Sequence, residues 1–372
     1  MRVALLSPLF ESVPPRLYGG TERVVYNLCR GLTDLNVEVT LFASGDSSVE
    51  GRIAPVIDEA LRLTRRETTD PNSYNFKMLS MVAARAQEFD VIHNHHDYWM
   101  LPLTKMVSTP VLTTVHGRLD RPENVAGLLG YEQEPLISIS DSQRKPASRL
   151  RWLRTIHHGL DLEEIPFYER PGKYLAFLGR IDEDKRPDLA IEMALASGVP
   201  LKIAAKIEGE RGKQFYESHV KPHVDGKFIE YLGEISESEK TEFLGNALGL
   251  CFPIDWPEPF GLVMIEALAC GTPVLARPFG SVPELLKDGV TGFIDRDVRQ
   301  LARKVPELAR LSRRTCRQWT EKNFSLKRMT EEYIHVYRHL SEFRSATHRH
   351  RRDFLYPVER VADGDSEALD QG

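Results

Sequence analysis

No stretch of this 372-residue chain approaches the roughly 18 uncharged apolar residues that a membrane-spanning helix needs. Its first apolar run, MRVALLSPLF, stops at Pro8, which suits a buried strand rather than a secretion signal. Cysteine is scarce: the four, Cys29, Cys251, Cys270 and Cys316, form no C-x-x-C pair. Cys29, Cys251 and Cys270 sit among apolar neighbours, as small hydrophobes do, which points to a reducing cytoplasm. An excess of one charge is also lacking. Lys and Arg number 49 against 54 Asp and Glu, a net charge of −5, so no global pull toward nucleic acid or membrane is expected. The loop after the first apolar strand does not match G-x-G-x-x-G, which counts against a dinucleotide-binding domain.

What is present is an alternation of short apolar runs with helical patterns, and it occurs twice. Val3–Ser7, Val37–Ala43, Asp90–His95, Val111–Gly117, Leu136–Ser140 and Arg154–Gly159 read as buried strands in the first half. A helix is expected from about Thr21, where Val24, Val25, Leu28, Cys29 and Leu32 recur at helical spacing. After a polar linker at Phe167–Lys173, strands recur at Tyr174–Gly179, Leu201–Lys206, Phe228–Gly233, Leu248–Pro253 and Thr272–Ala276, with helices such as Asp188–Ser197 between them. Near-continuous apolar strands separated by helices imply parallel sheets covered on both faces. The expected division is residues 1–168, residues 169–325, a helix at 326–345 and a frayed acidic tail at 346–372.

In open α/β sheets, ligands bind beyond the carboxyl ends of the strands, so candidates are sought there. Gly19 and Gly20, in YGGTE at the mouth of the first helix, would let backbone N–H groups approach an anion; an ordinary glycine turn capped by Thr21 is the alternative. Arg180 and Lys185, just past the first strand of the second half, could grip a diphosphate, or could be neutralised in a solvated turn by Asp182, Glu183 and Asp184. Asp182–Asp184 and Asp363–Asp365 fit a D-x-D metal pattern, but such triplets are common in an acid-rich chain, and no metal ligand is assigned. His116 ends a strand at the sheet mouth, where a structural role competes with a catalytic one.

The stretch EPFGLVMIEALACGTPV, Glu258–Val274, carries two carboxylates in an otherwise oily segment. A helix starting near Phe260 and stopping at Gly271 puts Glu258 at its mouth and Glu266 inside, with too little polar face for both to be solvated. The free N–H groups of Phe260, Gly261, Leu262 and Val263 would face the same cleft. Ser281 and Glu284 have capping-box spacing. Two basic stretches, Gln143–Arg154 and Arg344–Arg352, read as solvated faces in preference to a peripheral membrane patch.

YGGTERVVYNLCRGL, TTVHG, SISDSQR, HHGLD, FLGRIDEDK and EPFGLVMIEALACGTPV, in this order, resemble family 4 of the retaining, nucleotide-sugar-dependent glycosyltransferases. The resemblance runs from about Met1 to Leu340. It implies the α/β GT-B fold: two Rossmann-like doubly wound parallel-sheet domains facing across a cleft, with the last helix crossing back to the first. It also implies roles. Arg180 and Lys185 hold the donor diphosphate, with Gly19 and Gly20 approaching it from the first domain. Glu266 binds the ribose, Glu258 and the amides of Phe260–Val263 contact the transferred sugar, and His116 lies near the reacting carbon. The implied co-substrate is a nucleoside-diphosphate sugar, uridine- or guanosine-linked, with no metal required. The implied acceptor is a glycan, a lipid-linked glycan or a small metabolite. Front-face attack, with the departing phosphate taking the acceptor proton, is implied as the route to retention. The chain departs from the family pattern at His158, where Asn is usual, at Arg186–Pro187, where Gly is frequent, and in a longer Pro253–Glu258 loop. A nicotinamide oxidoreductase and a non-catalytic sugar-nucleotide-binding protein are the rival readings.

Overall fold

The computed structural model describes residues 1–17, 19–62, 70 and 72–353, with side chains described to residue 342. Tyr18, the side chains of Arg344–Arg352 and the acidic tail beyond Asp353 therefore lie outside the described residues.

Two parallel sheets form the framework. The first has seven strands, β1 (Arg2–Leu6), β2 (Glu38–Ser44), β3 (Arg52–Ile57), β4 (Val91–Asn94), β5 (Val111–Thr114), β6 (Leu136–Ser138) and β7 (Trp152–Thr155), in the order β3-β2-β1-β4-β5-β6-β7. The second has six, β8 (Leu175–Arg180), β9 (Leu201–Lys206), β10 (Ile229–Gly233), β11 (Gly249–Phe252), β12 (Val274–Ala276) and β13 (Gly292–Ile294), ordered β10-β9-β8-β11-β12-β13. The central strands are apolar because both faces are covered: Val3, Ala4, Leu5 and Leu6 of β1 are fully buried, as are Leu250 and Val274 of β11 and β12. Strand order reverses between β1 and β4 and between β8 and β11. Those two switch points are where such sheets open a crevice at their carboxyl ends.

The helices that matter for the crevice are α1 (Gly20–Asp34), α2 (Pro187–Ser197), α3 (Glu237–Gly245), α4 (Leu262–Ala269), α5 (Arg313–Asn323) and α6 (Leu326–Asp353). Cys316 of α5 joins the core beneath α4, whereas Met329, Tyr333 and Tyr337 of α6 join the core beneath α1. The chain thus crosses from the second sheet to the first between Asn323 and Leu326. Gly31 of α1 makes the close packing of α6 feasible, since a Cβ there would overlap the Thr330 hydroxyl.

Some elements differ from the expectations. Strand β3 was not expected: it is an edge strand interrupted by Pro55, which breaks the strand signal. The short edge strand β13 was equally hidden. Strand β7 ends at Thr155, so His157 and His158 lie beyond it rather than within it. It is an edge strand; just before it Leu150 is buried, and Trp152 packs against the same cluster. Helix α6 runs past residue 345 to Asp353. The capping box at Ser281 is a correction. The Ser281 hydroxyl donates to the Phe260 carbonyl at 2.6 Å, and Glu284 accepts from the backbone N–H groups of Asp141 and Ser142, at 2.8 and 2.7 Å. Both side chains are taken by partners on other elements. All four cysteines are buried and unpaired.

Candidate active site

A cavity of about 490 Å³ lies between the carboxyl ends of the two sheets. Gly19, Gly20 and His116 line it from the first half, and Lys185, Glu258, Phe260, Gly261, Leu262, Val263 and Glu266 line it from the second. Arg180 is the exception among the expected site residues. As the last residue of β8 it pairs with Asp182 at 3.3 Å and Glu208 at 3.8 Å, and it is not among the lining residues. The neutralised-turn reading thus describes Arg180 but not Lys185.

Lys185 reaches the cavity because its own N–H is tied to the Asp182 carboxylate at 2.7 Å, closing the turn after β8. Its ammonium donates to Glu258 and lies 5.1 Å from the centre of the Trp256 ring. The Arg118 guanidinium, from the first half, sits 4.3 Å from the Trp256 ring centre and bonds Asp184 at 2.8 Å. The long Pro253–Glu258 loop is therefore gripped from both sides of the cleft. The buried Trp256 indole N–H has no partner among the described residues, and Trp256 lines the cavity.

Glu258 and Glu266 are both about 8% exposed, which confirms that neither is a solvated surface acid. Glu266 accepts from the Lys240 ammonium at 2.6 Å, and Lys240 also contacts Glu237 at 2.9 Å. Burial works to lower the Lys240 pKa, but the Glu266 and Glu237 carboxylates outweigh it and the net shift is upward. Lys240 was not expected at the site.

Helix α4 begins one turn inside the Glu258 loop, with Gly261 in the left-handed region at φ +83° as its N-cap. The N–H groups of Gly261, Leu262 and Val263 find no acceptor among the described residues and are open to the cavity. Across the cleft, α1 starts at Gly20, whose Cβ position lies 3.8 Å from Leu262. Thr21 lies inside α1 and caps nothing; Gly19 is the N-cap. Two helix N-termini thus face one cavity, each carrying a partial positive charge. Glu22, in the first turn of α1, lines the same cavity, and burial raises its carboxyl to about 7.

Gly280 is a further residue that the sequence did not single out. It has φ +61°, and a Cβ there would overlap the backbone N and O of Glu258. The next N–H, of Ser281, donates to the Glu258 carbonyl at 2.9 Å. Gly280→Ala is expected to lower catalytic efficiency about 10²-fold by displacing Glu258 while leaving the fold in place. Steady-state kinetics beside a thermal melt will check this; unchanged kcat/KM would show that Glu258 tolerates the shift.

His116 closes the cavity from the first half. Its backbone N–H donates to the Asp97 carboxylate at 2.8 Å, and its Nε2 lies 2.9 Å from His95 Nδ1. Burial lowers the imidazole to about 3, so it is neutral. His158, one of the departures from the family pattern, lines the cavity too: its ring lies 5.3 Å from that of His116 and 4.6 Å from that of Phe260. It is 3% exposed, and its Nδ1 has no partner among the described residues.

Residues 18–162 match Glycosyltransferase Family 4, and residues 163–325 match Glycosyl transferases group 1. The chain is 24% identical to a glycogen synthase of Mycobacterium tuberculosis over 91% of its own length and 94% of that enzyme's. It is 27% identical to a D-inositol 3-phosphate glycosyltransferase of Mycobacterium marinum, the match covering 60% of this chain and 56% of that one. Among solved structures, sucrose-phosphate synthase from Thermosynechococcus elongatus superposes with a TM-score of 0.75 at 20% identity, over 91% of this chain and 98% of that one. Anabaena HepE in complex with UDP-glucose gives 0.67 at 16% identity, over 90% and 99%. No helix among the described residues is long and apolar enough to cross a membrane. A seven- and a six-stranded parallel sheet meeting at a shared crevice is the GT-B architecture, and the chain is a glycosyltransferase of family 4.

Proposed function

We propose that this glycosyltransferase moves a sugar from a nucleoside-diphosphate donor, uridine- or guanosine-linked, to a hydroxyl acceptor with retention at the anomeric carbon and without a required metal. The observation that carries the reading is the pair of buried ammonium–carboxylate contacts, Lys185 with Glu258 and Lys240 with Glu266, beside two open helix N-termini in one cavity. As the glycosidic bond breaks, the leaving diphosphate gains negative charge. Fixed cations and unsatisfied amides in a water-poor crevice stabilise that charge without reorganising. Lys185 is the nearer cation. Arg180 joins it on exchanging Asp182 and Glu208 for a phosphate oxygen. The amides of Gly19 and Gly20 approach from the opposite side.

In this reading Glu258 accepts from hydroxyls of the transferred sugar and Glu266 from the ribose, while His116 contacts the sugar near the reacting carbon. The acceptor hydroxyl attacks from the face the diphosphate leaves, and a phosphate oxygen takes its proton, so no protein base is needed. The UDP-glucose held by the Anabaena neighbour supports a nucleotide-sugar donor here. The oxidoreductase reading is set aside by the family assignment. A purely binding protein would have no need of ion pairs poised at a leaving group.

The test is a calorimetric panel of uridine, guanosine and adenosine diphosphate glucose, followed by proton NMR of the sugar released or transferred. One nucleotide should bind with micromolar affinity, turn over in the presence of a chelator and give product of unchanged anomeric configuration. An inverted product, or turnover abolished by the chelator, would overturn the mechanism.

A further inference from the structure

Behind His116 lies a buried line of polar groups that none of the chemistry above uses. His95 Nδ1 faces His116 Nε2 at 2.9 Å, and His95 Nε2 faces His93 Nδ1 at 3.1 Å. His93 Nδ1 also meets the Tyr337 hydroxyl at 2.7 Å, and His93 Nε2 meets the Thr114 hydroxyl at 2.8 Å. Thr114 in turn meets the Tyr333 hydroxyl at 3.1 Å. His93, Thr114, Tyr333 and Tyr337 are fully buried, and His95 is 1% exposed. The line starts at the cavity and ends on α6.

Neutral imidazole has one donor nitrogen and one acceptor nitrogen, so each contact in such a line fixes the next. Burial lowers His93 and His95 well below the ordinary imidazole range and His116 to about 3, so each ring carries a single proton at neutral pH. Two proton arrangements of the three imidazoles are compatible with these contacts, His93 Nδ1 being shared between Tyr337 and His95 in each. In one, Tyr337 donates to His93 Nδ1, His95 Nε2–H donates to the same nitrogen, and His116 Nε2–H donates to His95 Nδ1. In the other, every one of these three is reversed, and the Tyr337 proton is stranded in the core. The two differ at the cavity: the first leaves His116 Nδ1 as a bare lone pair, the second makes it an N–H.

We propose that Tyr337, through His93 and His95, holds His116 in the first arrangement, so that His116 meets the substrate as a hydrogen-bond acceptor. A phenol is a better donor than a neutral imidazole, and an imidazole nitrogen is a better acceptor than a phenol oxygen. The 2.7 Å separation is the usual one for a hydroxyl donor and the short extreme for an N–H donor. Tyr337, His93 and His95 are positioning residues; none of them reaches the cavity. The partner class for Nδ1 is a sugar or acceptor hydroxyl that donates its proton, which rests on the reading given under Proposed function. The crossing helix α6 thereby sets the chemistry of a residue in the crevice as well as covering the first sheet.

The tautomer itself can be read without substrate. Nitrogen-15 NMR of the histidine-labelled full chain near pH 7.5 should show the His116 proton on Nε2, with Nδ1 bare. Tyr337→Phe keeps the ring and removes the proton that the second arrangement strands. It should therefore move the His116 proton toward Nδ1, while Tyr333→Phe leaves it on Nε2. A proton on Nδ1 in the unaltered chain, or an unmoved one in Tyr337→Phe, overturns the relay. Because no donor is present, that outcome is separate from a failure of the nucleotide panel, which would count against the functional reading alone.

Discussion

Lys185→Ala is expected to lower kcat/KM for sugar transfer by about 10²-fold or more and, at the same time, to destabilise the chain. The two effects have different causes. The Lys185 and Glu258 side chains are 12% and 10% exposed, so deleting the ammonium strands a carboxylate that water barely reaches. Breaking one half of a buried pair costs about 3–5 kcal/mol, most of it the penalty of the orphaned charge. In the proposed mechanism the loss of activity has a second source, the missing countercharge for the leaving diphosphate. A double variant, Lys185→Met with Glu258→Gln, separates them. With both charges gone the stability should return to near that of the unaltered chain, while activity stays low. Urea denaturation and steady-state kinetics on the single and double variants supply the comparison. Full activity in the double variant would remove both residues from the mechanism.

The parts of this molecule that could be read from sequence are those in which composition and period agree. Val3–Leu6 is apolar throughout because a parallel strand is covered on both faces. Glu258 and Glu266 were legible for the opposite reason: each contradicts its surroundings, and a carboxylate in an oily helix must have a partner. The partners themselves were not legible. Lys240 lies in the polar segment ESEKTE of α3, where one lysine looks like any other, and its contact to Glu266 is made only once α3 and α4 pack side by side. Arg180 shows the converse. A cation at a strand end is a sound candidate, yet Asp182 of its own turn, together with Glu208 from beyond β9, is close enough to hold it.

The histidines carried a usable signal. His93 and His95 are two apart on β4 and its exit, hence on one face of the sheet, and Thr114 and His116 are two apart beside them on β5 and its exit. Alternation alone therefore places four polar side chains on one face at the carboxyl end. What alternation cannot show is the cover, since Tyr333 and Tyr337 lie more than 200 positions further on. His158 was hidden by its setting in HHGLD, where a turn substitution looks harmless; its burial against His116 and Phe260 is a tertiary fact.

Between about pH 6.5 and 4.5 the chain is expected to lose stability steeply, and the same buried histidines are the reason. Burial lowers His93, His95 and His158 well below 6.5, His96 to about 4 and His116 to about 3. Below pH 6.5 the unfolded imidazoles take up protons that the folded ones refuse, so falling pH favours unfolding until the folded pKa values are passed. For His96 and His116 alone, a two-unit window is worth about 5 kcal/mol, a sizeable share of the roughly 5–15 kcal/mol that holds a domain together. Glu22 works the other way. Its carboxyl keeps its proton to about pH 7 in the fold but only to about 4.5 when unfolded, so its stabilising contribution is full below pH 4.5 and lost as pH rises through 7. That is on the order of 3 kcal/mol, and buried Asp97, whose pKa is also raised by burial, adds in the same direction. Five imidazoles against two carboxyls leaves the acid-labile sense in control. Urea midpoints at about pH 7.5, 6 and 5 should fall in that order. Glu22→Gln should be more stable than the unaltered chain at about pH 8 by the same few kcal/mol and indistinguishable from it near pH 4.5. Equal midpoints at neutral and mildly acid pH would mean that the histidine line admits water, and with it protons.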